Sequence, residues 1–495
     1  MLLFWPVVIP FLTAVACLLA WRSVEMQRGI SLIGGGALLV AALFILAEVS
    51  AEGPVAMQAG GWPAPFGITF VADMLSAVLV TLVGLVAVAA LVFAMADVTR
   101  DEERQGYHPL THAMLAGICG AFLTGDIFNM YVWFEVMLIA SFGLLVIGGG
   151  KAQLDGAVKY VGLNLIATVA FLAGVGLLYG ATGALNMAEL HLRLAGRDLD
   201  PPLLAAAAFL VFAFGSKAAL FPLFFWLPAS YHTPSFATSA VFSALLTKVG
   251  VYALLRVFTL VFDIDGTPLQ TLLVWAAALT MLAGALGALA QTTIRRVLGF
   301  GVISSVGYMI LGLAVSTPLA LIGAVYYMLQ DVVVKTGLFF GAGAARRLAG
   351  SEDFERAGGL WRAHPWFSVL FLLPALSFAG MPPFSGFWAK LLLVRATIEA
   401  QDYWLAFAVL GVGLLTLFAM ARVWSAMFWS SHPEGDGAVA TAAPPFAMLL
   451  PIALAVALTL VVGVWAAPFV AAAAEAASAL IDPAAYVAAV TGAAP

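Results

Sequence analysis

Uncharged apolar runs of about 20 residues recur from one end of this chain to the other. A helix of that length matches the ~30 Å hydrocarbon core of a bilayer, and in lipid the backbone must satisfy its own N–H and C=O groups. The recurrence therefore admits few folds besides a bundle of spanning helices. Fourteen candidate spans start near residues 2, 30, 70, 109, 128, 158, 203, 235, 270, 297, 319, 366, 404 and 445. The tightest connection joins the fourth and fifth, where "TGDIF" separates two spans with almost no loop. Composition agrees: 63% of residues are hydrophobic and 9% charged, against about 25% charged in an ordinary soluble domain. The expected fold is an all-α polytopic membrane protein with about 14 transmembrane helices. Its first segment, "MLLFWPVVIPFLTAVACLLAW", has no basic residue before the apolar core and is expected to be retained as a span.

Several function classes are disfavoured at once. Cys17 and Cys119 both lie inside apolar runs, so they form neither a disulfide framework nor a metal-ligand spacing. Glycine-rich phosphate loops and cysteine clusters are missing, so no cofactor and no metal site is expected. The net charge of -5 is spread along the loops, which gives no footprint for nucleic acid.

Positive charge sets the orientation. Of the 21 Lys and Arg residues, thirteen lie near loops after odd-numbered spans and four near the other side, so odd loops are expected in the cytoplasm and both termini outside. Two spans are broken by proline: Pro222 in "GSKAALFPLFFWLP", and Pro382 with Pro383 in "LSFAGMPPFSGFWAK". Each proline withholds an amide from a carbonyl one turn back, and such carbonyls must face protein or water. The breaks fall in spans seven and twelve. That odd offset means opposite directions across the membrane, as in an inverted pair of five-helix repeats around a transport site. The expected division is 1–108 for three N-terminal spans, 109–260 and 261–430 for the two repeats, and 431–495 for the last span and tail.

The remaining four basic residues, Lys217, Lys248, Lys335 and Lys390, fall within spans, and Glu135 sits in the apolar "FEVMLIASFGLLVIGG". Four charged, lipid-facing lysines would cost on the order of 10–14 kcal/mol. The arrangement instead implies an interior, hydrated row of polar groups. Desolvation and acidic neighbours act in opposite directions on a buried amine, so such an amine can exchange a proton near neutral pH. Glu135 is the natural partner for one of them. If it closes on Lys217 the amine keeps its proton, and if it withdraws the proton is released.

Plainer roles stand beside this one. Glu135 could bond backbone amides at a helix end, Lys217 could bond the carbonyls freed by Pro222, and Lys248 and Lys390 could reach the membrane interface. Asp331 and Lys335 are four apart and can pair on one helix face. Asp73 reads as a cap or an interhelical anchor, and Asp126 as an N-cap. His232 and His112 titrate near a membrane edge, while Ser304, Ser305 and Tyr308 are polar positions on the tenth span.

The segments "FLTGDIFNMYVWFEVMLIASFGLL", "PLFFWLPASYHTPSFATSAVFSALLTKVGVYALLR", "RRVLGFGVISSVGYMILGL" and "GMPPFSGFWAKLLL" together resemble the antiporter-like subunits shared by respiratory complex I, membrane-bound hydrogenases and Mrp cation/proton antiporters. The resemblance runs over nearly the whole chain, and the wording "FNMYVWFEVML" is most similar to the D-type subunits of Mrp antiporters. It implies fourteen core helices, inverted repeats and a hydrophilic axis in which Glu135, Lys217, Lys248, Lys335 and Lys390 form a proton relay. It implies a bacterial plasma membrane and partners in a hetero-oligomeric complex, including an A-type antiporter-like subunit and small membrane subunits. The function implied is proton translocation in exchange for sodium or another monovalent cation by a secondary-transporter subunit, not an enzyme. The alternatives are the proton-pumping subunit of complex I or a hydrogenase, and a scaffold whose lysines only support helix breaks. One departure stands out: "WLPASYH" lacks the usual acid after Pro228, leaving His232 as a substitute for proton uptake.

Overall fold

The computed structural model describes residues 2–492 apart from 198, 436 and 438. Helices stand at every expected place: α1 (Trp5–Leu19), α2 (Val24–Glu52), α3 (Met74–Asp97), α4 (Tyr107–Leu123), α5 (Ile127–Val146), α6 (Lys151–Thr182), α7 (Pro201–Ala218), α8 (Phe236–Leu260), α9 (Pro268–Leu289), α10 (Ile294–Val315), α11 (Pro318–Ala349), α12 (Pro365–Ala379), α13 (Ser385–Glu399), α14 (Tyr403–Trp429) and α15 (Phe446–Val464). Two more, α16 (Ala466–Ile481) and α17 (Ala484–Thr491), meet at a 70° bend. The chain is a multi-pass membrane protein.

Among the described residues, eleven helices are long and apolar enough to cross a membrane, or up to twelve if the bent pair counts as one span. This is fewer than the expected fourteen because α1 has 15 residues, α4 has 17, and α12 and α13, the two halves of the broken twelfth span, have 15 each. The only strands among the described residues, β1 (Val55–Gln58) and β2 (Thr69–Ala72), pair as an antiparallel hairpin that leads into Asp73, the N-cap of α3.

Burial sorts the bundle. Among the eleven long spans, α8, α10 and α11 are 100%, 94% and 83% buried in their most apolar windows, against 33–61% for the others, and the shorter α4 is buried at 15 of its 17 residues, so these four lie innermost. Glycine permits part of this packing. A Cβ on Gly250 of α8 would stand 2.6 Å from the Ala218 amide nitrogen, so only hydrogen there lets α8 lie against the end of α7.

The two breaks are built alike, and one expectation needs correction. The helices do not end because proline withholds an amide; they end before it. Ala219 (φ 65°) and Gly380 (φ 88°) both take the left-handed conformation. The amide of Leu220 then donates to the Gly215 carbonyl at 2.8 Å, and that of Met381 to the Leu376 carbonyl at 3.1 Å. This is the same C-terminal cap twice, 161 residues apart, with Pro222 and Pro383 following as residues that cannot resume a helix. Holding alanine in this conformation costs on the order of 1 kcal/mol, which the surrounding packing offsets.

A buried row of amines and carboxylates

The first group joins three helices. Glu135 sits midway along α5 with its side chain 22% exposed, and the Lys217 amine, at the end of α7, lies 3.9 Å from it. Between them stands Thr168 of α6, whose hydroxyl donates to Glu135 Oε1 at 2.5 Å while accepting from Lys217 Nζ at 3.4 Å. No sequence signal marked Thr168, because a threonine within an apolar span usually bonds its own helix. Lys217 does not bond carbonyls freed by the break: the Ser216 carbonyl is taken by the Trp226 indole N–H at 2.9 Å, and the amine also faces the Phe134 ring at 5.1 Å.

The second group lies in the centre of the bundle. Lys248 and Lys335 are fully buried, which removes any path for Lys248 to reach the surface. Asp331 pairs most closely with Lys248 of the neighbouring helix, at 2.6 Å, and only loosely with Lys335 on its own helix, at 4.0 Å. The expected i,i+4 pair is thus the weaker of the two, since the crossing of α8 and α11 brings a second amine nearer than one helical turn does. Lys248 Nζ also donates to the Ser243 carbonyl at 2.8 Å, and Ser305 donates to Asp331 Oδ1 at 2.8 Å. Lys335 Nζ has no hydrogen-bond partner among the described residues and stands 3.3 Å from the Phe378 ring centroid.

Lys390 ends the row. Its amine donates to the carbonyls of Phe378 and Ala379, at 3.1 and 2.8 Å, so here a lysine does bond the carbonyls exposed by a helix break. The Tyr308 ring lies 5.3 Å from it. Backbone contacts join the groups: Gly250, two residues beyond Lys248, touches Ala218 beside Lys217, and Phe378 contacts both Lys335 and Lys390.

Most other candidates stand apart from the row, Tyr308 beside Lys390 excepted. Ser304 donates to the Met281 carbonyl of α9, so Ser305 rather than Ser304 faces the central carboxylate. Tyr308 donates to the Val409 carbonyl. Asp73 caps α3 and pairs with Arg256 at 2.6 Å, and Asp126 caps α5 through the Asn129 amide. His112 bonds Ser31 at 2.8 Å, away from the lysines. His232 lies on the loop after the first break, beside Arg296 at 3.2 Å. Burial first, and then the Arg296 guanidinium, push its pKa below the ordinary 6.5.

Known proteins resemble this chain over most of its length. The family described as "NADH:quinone oxidoreductase/Mrp antiporter, TM" matches residues 124–416, which contain the whole row. The chain is 40% identical to the D-type subunit of the Na(+)/H(+) antiporter of Alkalihalophilus pseudofirmus over 484 residues, covering 97% of each chain. Among solved structures it is similar to a chain of the Mrp complex from Dietzia sp. DQ12-45-1b, at TM-score 0.90 and 32% identity over 99% of both chains. It is also similar to a chain of the membrane-bound sulfane sulfur reductase, an archaeal respiratory membrane complex, at TM-score 0.91 and 28% identity over 99% of both chains. The chain belongs to the family of membrane subunits shared by NADH:quinone oxidoreductases and Mrp antiporters.

Proposed function

We propose that this chain is a proton-translocating subunit of a multi-subunit sodium/proton antiporter in a bacterial plasma membrane, a secondary-transporter subunit working with an A-type antiporter-like partner and small membrane subunits. The observation that carries this reading is the row from Glu135 to Lys390, held on α5, the two broken spans and the deeply buried α8 and α11. The relative from Alkalihalophilus pseudofirmus, named for Na(+)/H(+) antiport, favours exchange over redox-driven pumping.

The row suits protons. Amines offer no oxygen ligands for sodium, so the cation route lies mainly in a partner. Glu135 and Lys217 at 3.9 Å attract by roughly 4 kcal/mol at an effective dielectric constant near 20, less the screening that comes with a 22% exposed carboxylate. Lys248 and Asp331 at 2.6 Å attract by about 6 kcal/mol without that discount. The first pair is the looser and acts as the switch: when it opens, Lys217 gives up its proton toward Lys248, which takes it once its own proton has moved on to Lys335. Thr168 accepts from the amine and donates to the carboxylate, so one hydroxyl rotation reverses the hand-over. A cavity of about 420 Å³ lined by Asp155, Lys159, His232, Gln291 and Arg296 opens beside the first break and serves as the proton mouth. His232, disfavoured as a cation there, acts as a neutral hydrogen-bonding group.

The repeated caps support inverted repeats at 109–260 and 261–430, flanked by 1–108 and 431–495; the charge bias of the loops supports both termini outside, with fourteen crossings. The test is exchange by the whole complex in vesicles with Lys217→Ala, following cation and proton together. Assembly kept with both fluxes lost supports the relay. Assembly kept with exchange intact leaves the lysines as supports for the helix breaks.

A further inference from the structure

A buried arginine–aspartate pair lies outside this row. Arg256 of α8 and Asp73, the cap of α3, are 1% and 0% exposed, and Arg256 Nη2 donates to Asp73 Oδ2 at 2.6 Å. The guanidinium is covered by two rings, Tyr252 at 5.4 Å and Tyr486 of α17 at 5.1 Å, and its Nε donates to the Tyr252 hydroxyl at 3.4 Å. Asp73 is fixed in turn by the Ser76 amide and hydroxyl. A cap needs only a carboxylate, and a buried arginine is a costly partner for one, so the pair asks for a reason beyond capping.

Its position supplies one. Lys248, Tyr252, Arg256 and Leu260 follow each other at four-residue intervals along α8, each about 6 Å further along the axis and turned by about 40°. The stripe starts at the Lys248–Asp331 pair. It ends in a vestibule of about 620 Å³, where the Leu260 carbonyl bonds His191 and the wall includes Arg197, Asp263 and Asp265. Leu321 of α11 and Ile481 at the end of α16 complete that wall, so the vestibule lies between the two helices that carry Lys248, Asp331 and Lys335. Arg256 stands one turn below its floor.

We infer that the Arg256–Asp73 pair, roofed by Tyr252 and Tyr486, is a cation-excluding plug between this vestibule and the central lysines. The inference rests on the relay reading above. A guanidinium stays charged at any working pH and, fixed in a low-dielectric neck, raises a barrier to sodium or potassium approaching from the vestibule. The same fixed charge opposes an excess proton, so this end is closed to cations of every kind and protons enter beside the first break instead. Asp73 holds the guanidinium across the neck and supplies the counter-charge that lets it remain buried.

The test uses the whole complex in proteoliposomes, with passive uptake of radiolabelled sodium and driven exchange measured on the same preparation. Removing both charges together with Asp73→Asn and Arg256→Gln avoids leaving one buried charge alone, and passive sodium uptake is expected to rise roughly tenfold with loss of coupled exchange. Arg256→Lys keeps the charge and is expected to stay tight to sodium. If the neutral pair assembles and is as tight as the unaltered complex, the plug is refuted. If it does not assemble, Tyr486→Leu, which uncovers the guanidinium and leaves the pair in place, must leak measurably, and wild-type tightness there refutes the plug as well. Glu135→Gln separates this from the relay: lost exchange without a sodium leak keeps the relay, whereas retained exchange overturns the relay and leaves the leak measurements to decide the plug.

Discussion

Thr168→Val tests the hand-over at the first pair more cleanly than removing either charge. Valine keeps the shape of threonine, and Thr168 is only 8% exposed, so the change opens no cavity and leaves Glu135 and Lys217 ionisable. What is lost is a hydroxyl that donates to a carboxylate at 2.5 Å and accepts from an ammonium at 3.4 Å. Hydrogen bonds to charged groups contribute about 1.5–3 kcal/mol. The longer contact adds little, and the exposure of Glu135 favours the lower end of that range. About 1.5 kcal/mol lost only when the proton passes corresponds to a rate fall of roughly tenfold. The assay is dye-monitored proton flux in vesicles at graded sodium concentration, beside native gels for assembly. Unchanged exchange in a fully assembled complex would refute the idea that Thr168 carries the hand-over, and equal losses of exchange and assembly would make it a packing residue.

The central pair should behave differently from the first. Asp331→Asn leaves Lys248 buried without its counter-charge, so thermal unfolding of the purified complex should show a loss of about 3–5 kcal/mol, against about 1 kcal/mol for the partly exposed Glu135→Gln; equal losses would contradict the ranking by distance and burial. His232 has a folded-state pKa below its ordinary 6.5, so the stability that its neutral form contributes is full above pH 6.5 and declines as the pH falls further. His232→Gln should therefore leave exchange nearly unchanged at pH 7–8.5 and separate from the parent only below about pH 6.5, and a large loss at pH 8 would show that a charged His232 takes part.

Most of the architecture was legible in the residues because lipid enforces it. Apolar runs long enough to cross a bilayer must become helices, and the lysines in them must turn inward, so the helix positions and the amines of the row follow from one-dimensional spacing. The breaks were visible through proline, although the caps that end the helices needed coordinates, since a left-handed alanine such as Ala219 leaves no mark in a sequence. Pairing was another matter. Asp331 lies four residues from Lys335 yet binds Lys248, 83 positions away, and Thr168 and Arg256 acquire partners on helices far along the chain. Ion pairs fall off within a few ångströms, and which side chains come that close depends on how helices cross. Those crossings are set by contacts such as Gly250 against Ala218, which exist only once the bundle has packed.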